Sequence, residues 1–172
     1  LGVGINLLPH AVKVLTGLGL ADRLADVGVA TAELVYFNKF GQRIWGEPRG
    51  LAAGYRWPQY SLHRGRLQML LLEETIARLG AGRVLTGHHL HSFEETPDGV
   101  TARFIDRETG ALVREETGDA LVGADGIHSV VRKHFYPNEG EPKFSGRVLW
   151  RAVSEAPPFL TGRSMVMLGH AD

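Results

Sequence analysis

The chain has 172 residues, 44% of them hydrophobic, which is enough for an ordinary globular domain with its own core. Its 19 basic and 19 acidic residues balance, so charge predicts neither a nucleic-acid partner nor an anionic membrane surface. Cysteine is absent, which excludes disulfides, thiolate metal ligands and a cysteine nucleophile and is typical of a reducing compartment. We therefore expect a cytoplasmic protein whose partner is a small molecule or another protein.

The most apolar stretch covers the first 21 residues, but polar residues, a proline and glycines interrupt it. It cannot supply the ~20 apolar residues of a membrane span, and no signal peptide is recognisable. The chain begins with leucine and ends without a tail. We expect it to be an internal piece of a longer protein.

Two helices are predicted at the start of the chain. Asn6 is predicted to cap the first helix, with Pro9 in its first turn and Gly17 and Gly19 closing it. The second is a short helix over 21–27. A hairpin, a strand and a long helix are predicted to follow.

The predicted hairpin joins the runs 33–37 and 42–47, and the run 58–63 is also β-like. From Arg64 a broad apolar face recurs with helical period, and the helix is predicted to end at Gly80 or Gly82.

In the second half, tight-turn sequences join β-like runs into a predicted meander, with runs at 83–87, 89–95, 100–107 and 111–117. The run 119–126 has the pattern of a buried strand that leads into a helix over 127–135. Two more strands are predicted over 146–153 and 164–169.

Alternating strands and helices together with the meander predict a mixed α/β fold. The hairpin and the run 147–153 have no obvious neighbours in the α/β part, which indicates a second sheet from another domain. We expect residues 1–32 and 59–140 to form part of one domain, and 33–58 and 141–172 to belong to the second.

Asp125 and Gly126 follow the predicted buried strand, at the end where α/β folds bind ligands. The carboxylate can accept hydrogen bonds from sugar hydroxyls, the glycine gives clearance, and the following helix offers N–H groups to a phosphate. Arg132 could bind a phosphate or orient Asp125. From the residues alone, an ordinary Asp-Gly turn with a solvated arginine explains the pattern as well.

The run "LVGADGIHSVVR" resembles the Asp-Gly motif of the single-component flavin-dependent aromatic hydroxylases, the family typified by p-hydroxybenzoate hydroxylase. Ser129 and Arg132 match the family's serine and arginine offsets. The resemblance implies that Asp125 contacts the FAD sugar and helps to bind the nicotinamide cofactor.

The stretch "YSLHRGRLQMLLLE" is similar to the family's helix entry, and this implies that Arg64 and Gln68 contact the FAD ribityl chain or phosphates. An ordinary amphipathic helix start is the alternative. The opening run resembles the segment that passes the flavin ring, where Gly2 and Gly4 would let the main chain approach it. Leu90 falls where the family has an aliphatic residue at the FAD adenine.

The resemblance covers nearly the whole chain, and "EPRG", "PQYSLHRG", "LQMLL" and "VGADGIHS" together resemble the bacterial phenazine hydroxylase branch. It implies the middle part of an FAD-binding, Rossmann-like domain plus a substrate-binding sheet. The family's pyrophosphate-binding G-x-G-x-x-G would precede this chain and its Gly-Asp motif would follow it.

The implied activity is a monooxygenase reaction that uses FAD, NADPH or NADH, and O₂ to hydroxylate an aromatic small molecule such as a phenazine through a flavin hydroperoxide. No residue of this chain is predicted to be a catalytic acid or base, because the flavin carries the chemistry. The alternatives are a flavoprotein epoxidase or drug-modifying oxygenase of the same fold, or a small non-enzymatic α/β module.

Two other residue clusters do not predict a site. His89 and His91 share one strand face, but no carboxylate completes a metal site, so no metal is predicted. Asp125, His128 and Ser129 lie too close in sequence to form the catalytic triad of a hydrolase, and the motif G-x-S-x-G is absent.

Overall fold

The computed structural model describes residues 3–169, so residues 1–2, which include the predicted Gly2, and residues 170–172 lie outside the described part. Within it, α-helices span Pro9–Gly17 (α1), Ala21–Val27 (α2), Arg64–Leu79 (α3) and Val130–Phe135 (α4). The strands are Gly4–Leu7 (β1), Gly28–Thr31 (β2), Glu33–Phe37 (β3), Arg43–Pro48 (β4), Gln59–His63 (β5), His89–Thr96 (β6), Gly99–Ile105 (β7), Leu112–Gly118 (β8) and Ser164–Leu168 (β9). Short 3-10 turns cover Gly50–Ala53 and Ala81–Arg83.

The chain divides into two compact units, one made of residues 1–78 and 150–172 and the other of residues 79–149. In the first unit, β1, β5 and β2 form an antiparallel sheet in that order, which we call the first sheet. Side chains alternate along each strand, so Tyr60 and Leu62 of β5 point to the same side and are buried there. They pack with residues of β1, of the three helices of this unit and of the α1–α2 junction: Leu7, Val12, Leu20, Leu24, Leu67 and Leu70.

A second sheet in the same unit has the order β4-β3-β9. The hairpin pairs β3 with β4 antiparallel, and Gly41 adopts a positive φ of 77° in its turn. β9 joins β3 in parallel, with Val35 opposite Val166. The predicted hairpin and the predicted strand over 164–169 are therefore confirmed.

The second unit is built on the antiparallel meander β6-β7-β8. Its small core contains Phe93, Val100 and Ala102, with Leu121 and Val131 packed against them. The meander is confirmed for the runs 89–95, 100–107 and 111–117. The mixed α/β class is also confirmed, as a set of small sheets with flanking helices.

The helix predictions hold with two corrections. α1, α2 and α3 form as predicted, with Pro9 beginning α1 and Gly80 at φ 87° after α3. Asn6 does not cap α1, because it lies in β1, and Leu8 occupies the cap position without a side-chain hydrogen bond. The helix predicted over 127–135 begins only at Val130, because Ser129 is its N-cap.

Three predicted strands are wrong, namely 83–87, 119–126 and 146–153. None of these runs pairs with another strand in the described residues, and an apolar run without a hydrogen-bonding neighbour has no ladder to satisfy its backbone. Conversely, β1 and β2 were not predicted as strands. They form because β5 lies between them and pairs with both.

None of the helices in residues 3–169 is long and apolar enough to cross a membrane.

Candidate functional site

The Asp-Gly segment of the second unit is organised around the N-terminus of α4. The Asp125 carboxylate accepts a hydrogen bond from the Ser129 hydroxyl at 2.5 Å and from the Val130 N–H at 2.7 Å. The Ser129 hydroxyl oxygen in turn accepts the Arg132 N–H at 3.0 Å. Asp125 and Ser129 together cap the helix.

This capping favours the ionised form of Asp125. The Ser129 hydroxyl, and after it the N–H of Val130, lower the pKa of the Asp125 carboxyl below its ordinary value. The carboxylate is exposed and therefore can accept a further hydrogen bond from a ligand hydroxyl.

The structure corrects the expectation that α4 offers free N–H groups to a phosphate. The N–H groups of Val130 and Arg132 already donate to side chains within the segment. With a helix of 6 residues and these donors occupied, a phosphate finds no open N-terminus here.

Arg132 does not orient Asp125. Its Nε donates to a Glu139 carboxylate oxygen at 2.6 Å, and its Nη2 contacts the other carboxylate oxygen. This ion pair raises the pKa of Arg132 and lowers the pKa of Glu139. To bind a phosphate as predicted, the Arg132 guanidinium would have to leave Glu139 or contact Glu139 and the phosphate together.

Two glycines shape the segment for different reasons. Gly126 has φ 83°, a left-handed conformation that favours glycine, and a Cβ there would meet open space. At Gly123 a Cβ would lie 2.8 Å from the Cβ of Val131, so the loop can approach α4 only without a side chain. Backbone conformation therefore explains Gly126 without any ligand.

Leu90 lies on β6 in the same unit. Its side chain is partly buried and packs against the cluster of Phe93, Val100 and Ala102. The structure gives Leu90 a packing role, and its contact with the adenine stays a prediction.

Arg64, Gln68 and Gly4 lie in the first unit, where β1 and the start of α3 meet. The Arg64 N–H donates to the Val3 carbonyl oxygen at 2.9 Å, and Gly4 is opposite His63 across β1 and β5. Gly4 is exposed, and a Cβ there would make only an ordinary 3.9 Å contact with the Leu62 carbonyl oxygen. The predicted approach of a ligand to Gly4 is therefore sterically open.

The side chains of Arg64 and Gln68 are exposed and have no hydrogen bond or ion pair with any residue of the range 3–169. Residues four apart in a helix lie on one face, so the guanidinium and the amide can meet a single ligand. These donors match a phosphate or a polyhydroxyl chain. The residues present therefore fit FAD.

Some residues of these segments were not singled out from the sequence as site residues. Ser129 stood in the Asp-Gly motif only as a spacing marker, and Glu139 carries no motif signal. His63 ends β5, and its Nδ1 accepts the Gly65 N–H at 3.1 Å, so the imidazole caps α3 immediately before Arg64. The strand-to-helix junction "LHRG" was the available signal for His63.

Known proteins place the chain in one family. A family model described as FAD binding domain matches residues 4–159. A phenazine 1,6-dicarboxylic acid hydroxylase from Lysobacter antibioticus is 46% identical over 97% of this chain and 41% of its own length. A 3-hydroxybenzoate 6-hydroxylase from Aquipseudomonas alcaligenes is 31% identical over 91% of this chain and 38% of its own length.

Among solved structures, HpxO of Klebsiella pneumoniae in complex with FAD and uric acid matches with TM-score 0.60 and 27% identity, over 78% of this chain and 32% of that one. The chain spans about two fifths of the length of the two curated relatives. The family model covers more than half of the chain, so the chain belongs to the family that this model describes, the FAD binding domains.

Proposed function

We propose that this chain is part of a longer monooxygenase that uses FAD and NADPH or NADH to hydroxylate an aromatic small molecule with O₂. The observation that carries the proposal is the 46% identity, over 97% of this chain, to a phenazine 1,6-dicarboxylic acid hydroxylase. The 3-hydroxybenzoate 6-hydroxylase relative also acts, by its name, on an aromatic acid. An aromatic carboxylic acid is therefore the proposed substrate class, with a phenazine as the first candidate.

Bound FAD would supply the oxygen-transfer chemistry, and the side chains of this chain would bind and orient it. Arg64 and Gln68 present donors on one face of α3 that have no partner among residues 3–169, which suits the phosphates or the ribityl chain. Asp125, whose pKa the Ser129 hydroxyl lowers, is the proposed acceptor for an FAD sugar hydroxyl. Gly4 is the proposed place where the main chain approaches the flavin ring.

We also propose how the chain is divided between functions. Residues 1–32 and 59–140 would belong to the FAD-binding part, and residues 33–58 and 141–172 to the substrate-binding part. The parallel pairing of β9 with β3 supports the second group, because it joins a strand from 141–172 to the hairpin. The absence of cysteine supports a cytoplasmic location.

To test this proposal, the full-length protein that contains this chain would be purified and incubated with NADPH and oxygen-18 gas. Phenazine 1,6-dicarboxylic acid and 3-hydroxybenzoate would be compared with 3-hydroxycyclohexanecarboxylate, the non-aromatic analogue of the second. We expect substrate-stimulated NADPH oxidation and a product with one labelled oxygen atom, for at least one aromatic acid. NADPH oxidation that yields only hydrogen peroxide with every aromatic acid would contradict the proposal.

A further inference from the structure

The first sheet has an outer face, opposite its buried face, and that face carries mostly polar side chains. Cross-strand partners share a face, and Asn6 lies opposite Ser61, which lies opposite Val29. The outer face therefore consists of Gly4, Asn6, Val29, Thr31, Gln59, Ser61 and His63.

One end of the outer face is covered and the other is open. Gln59 is buried, and its Nε2 donates to the Met165 sulfur at 3.1 Å, so β9 covers this end. Gly4 and Asn6 at the other end are exposed. An open groove of about 1300 Å³ is lined in part by Val29, Ser61 and His63 of this face, but not by Gly4 or Asn6.

A chain of short hydrogen bonds crosses the three strands on this face. The hydroxyl oxygens of Thr31 and Ser61 lie 2.7 Å apart. The Ser61 hydroxyl donates to the Asn6 Oδ1, also at 2.7 Å. Thr31, at the inner end of the chain, is only 3% exposed.

The directions of these bonds follow from proton count. A hydroxyl has one proton, and the nearest acceptor for the Thr31 proton is the Ser61 oxygen, so Ser61 accepts from Thr31 and gives its own proton to Asn6. The other acceptor within reach of Thr31, the Val29 carbonyl oxygen, is 3.4 Å away, which is too long to compete. The buried threonine thus sets the direction of the whole chain.

The result is an oriented amide on an open surface. Because Oδ1 of Asn6 accepts from Ser61, its Nδ2 points away from Ser61, and that NH₂ group has no partner in residues 3–169. Asn6 lies two residues from Gly4 on the same strand face, a distance of about 7 Å along the strand. An exposed asparagine that only faces water needs no such support from a buried hydroxyl.

We propose that the Asn6 side-chain amide donates a hydrogen bond to a carbonyl oxygen of the flavin ring lying over Gly4, and that Ser61 and Thr31 are positioning residues for this amide. The isoalloxazine ring carries carbonyl acceptors at one edge, and a fixed N–H donor binds such an acceptor without the cost of ordering a side chain. This inference rests on the proposed function, because it needs FAD at Gly4.

The experiment uses the full-length protein stripped of flavin and titrated with FAD, with flavin fluorescence and the visible absorption spectrum as readouts. Asn6→Asp keeps the acceptor for Ser61 and removes the donor. We expect it to weaken FAD binding about tenfold and to shift the flavin absorption bands. Asn38→Asp is the matched control, since it places the same charge in the hairpin turn of the same unit, and we expect unchanged FAD binding.

Ser61→Ala and Thr31→Val test the positioning role. We expect each to weaken FAD binding less than Asn6→Asp does, and the double variant Asn6→Asp with Ser61→Ala to be no worse than Asn6→Asp alone. Fully additive losses would overturn the positioning role. Thermal unfolding without FAD separates these effects from a general loss of stability.

Two results would overturn the contact between Asn6 and the flavin. One is wild-type FAD affinity and absorption spectrum in Asn6→Asp. The other is an increase in substrate KM alone, which would assign the amide to the substrate. If instead the wild-type full-length protein binds FAD but hydroxylates no aromatic acid, the proposed function fails while the FAD titrations still test Asn6.

Discussion

At the scale of single residues, Asp125 links a structural role to a proposed cofactor role. Its carboxylate caps α4 and is exposed to a ligand at the same time. Because the folded state lowers its pKa below the ~3.9 of an unfolded chain, the stabilisation is present above about pH 4. It is lost as the pH falls through the lowered pKa.

Replacing Asp125 should therefore have a pH-dependent cost. We expect Asp125→Ala to lower the free energy of unfolding by about 1 kcal/mol at neutral pH, with the difference shrinking towards acid pH. Urea unfolding of this chain between pH 7 and pH 3 measures it. In Ser129→Ala, carboxyl NMR shifts should show the pKa of Asp125 rising towards its ordinary value. A cost that is constant with pH would show that the charge of Asp125 is not involved.

Arg64 provides a second prediction at this scale. In the full-length protein, Arg64→Ala should weaken FAD binding by tenfold or more, because it removes a charged donor from the proposed phosphate or ribityl contact. Arg66→Ala is the matched control, since Arg66 is an exposed arginine in the same turn of α3 and also has no partner in residues 3–169. Equal losses of FAD affinity in both variants would mean that only the overall positive charge of this turn matters.

At the scale of one element, the meander depends on two turn glycines that differ in their surroundings. Gly99 has φ 143°, and a Cβ there would collide with the Gly118 carbonyl oxygen of the neighbouring strand β8. Gly110 has φ 72°, but a Cβ there would meet nothing within 4 Å. Both positions strain an L-residue, and only Gly99 adds a steric collision.

We therefore expect Gly99→Ala to destabilise the second unit by at least about 2 kcal/mol and Gly110→Ala by about 1 kcal/mol. The comparison is made by thermal unfolding, with circular dichroism of the meander as the signal. Equal unfolding temperatures for the two variants would contradict the packing argument and leave only the backbone strain.

At the scale of the whole molecule, FAD binding should require more than this chain. The 172 residues contain no G-x-G-x-x-G, the loop that supplies backbone N–H groups to a pyrophosphate. The N–H groups at the start of α4 do not replace it, because Asp125 and Ser129 occupy them. The described residues therefore offer few backbone N–H donors to the anionic pyrophosphate of FAD.

We expect the 172-residue chain by itself to bind FAD weakly or not at all, whereas the full-length protein retains FAD through gel filtration. Flavin absorbance of the two purified proteins, at equal concentration, makes the comparison. A yellow 172-residue chain with one flavin per molecule would contradict this expectation and would show that the residues of this chain suffice to bind FAD.

Local signals predicted much of the fold and part of the candidate site. Helical period and terminal glycines located α1, α2 and α3, and tight-turn sequences located the hairpin and most of the meander. These features depend on near neighbours in the chain, so the sequence contains them. The motif "ADGIHS" likewise marked the Asp125 segment. It did not predict that Asp125 and Ser129 occupy the N–H groups of α4, or that Arg132 pairs with Glu139.

Only the tertiary structure decided which β-like runs pair with another strand. An apolar run becomes a strand only where another strand can satisfy its backbone, which is why β1 and β2 form beside β5 while 119–126 and 146–153 do not pair in the described residues. The side chain of Asn6 was read as a helix cap, and only the register of β1 against β5 places it on Ser61. The sequence by itself indicated the family and the residues that we propose to contact FAD, because their types and spacings are local. Tertiary structure decided which of these groups are free to bind, because hydrogen-bond partners distant in sequence occupy the others.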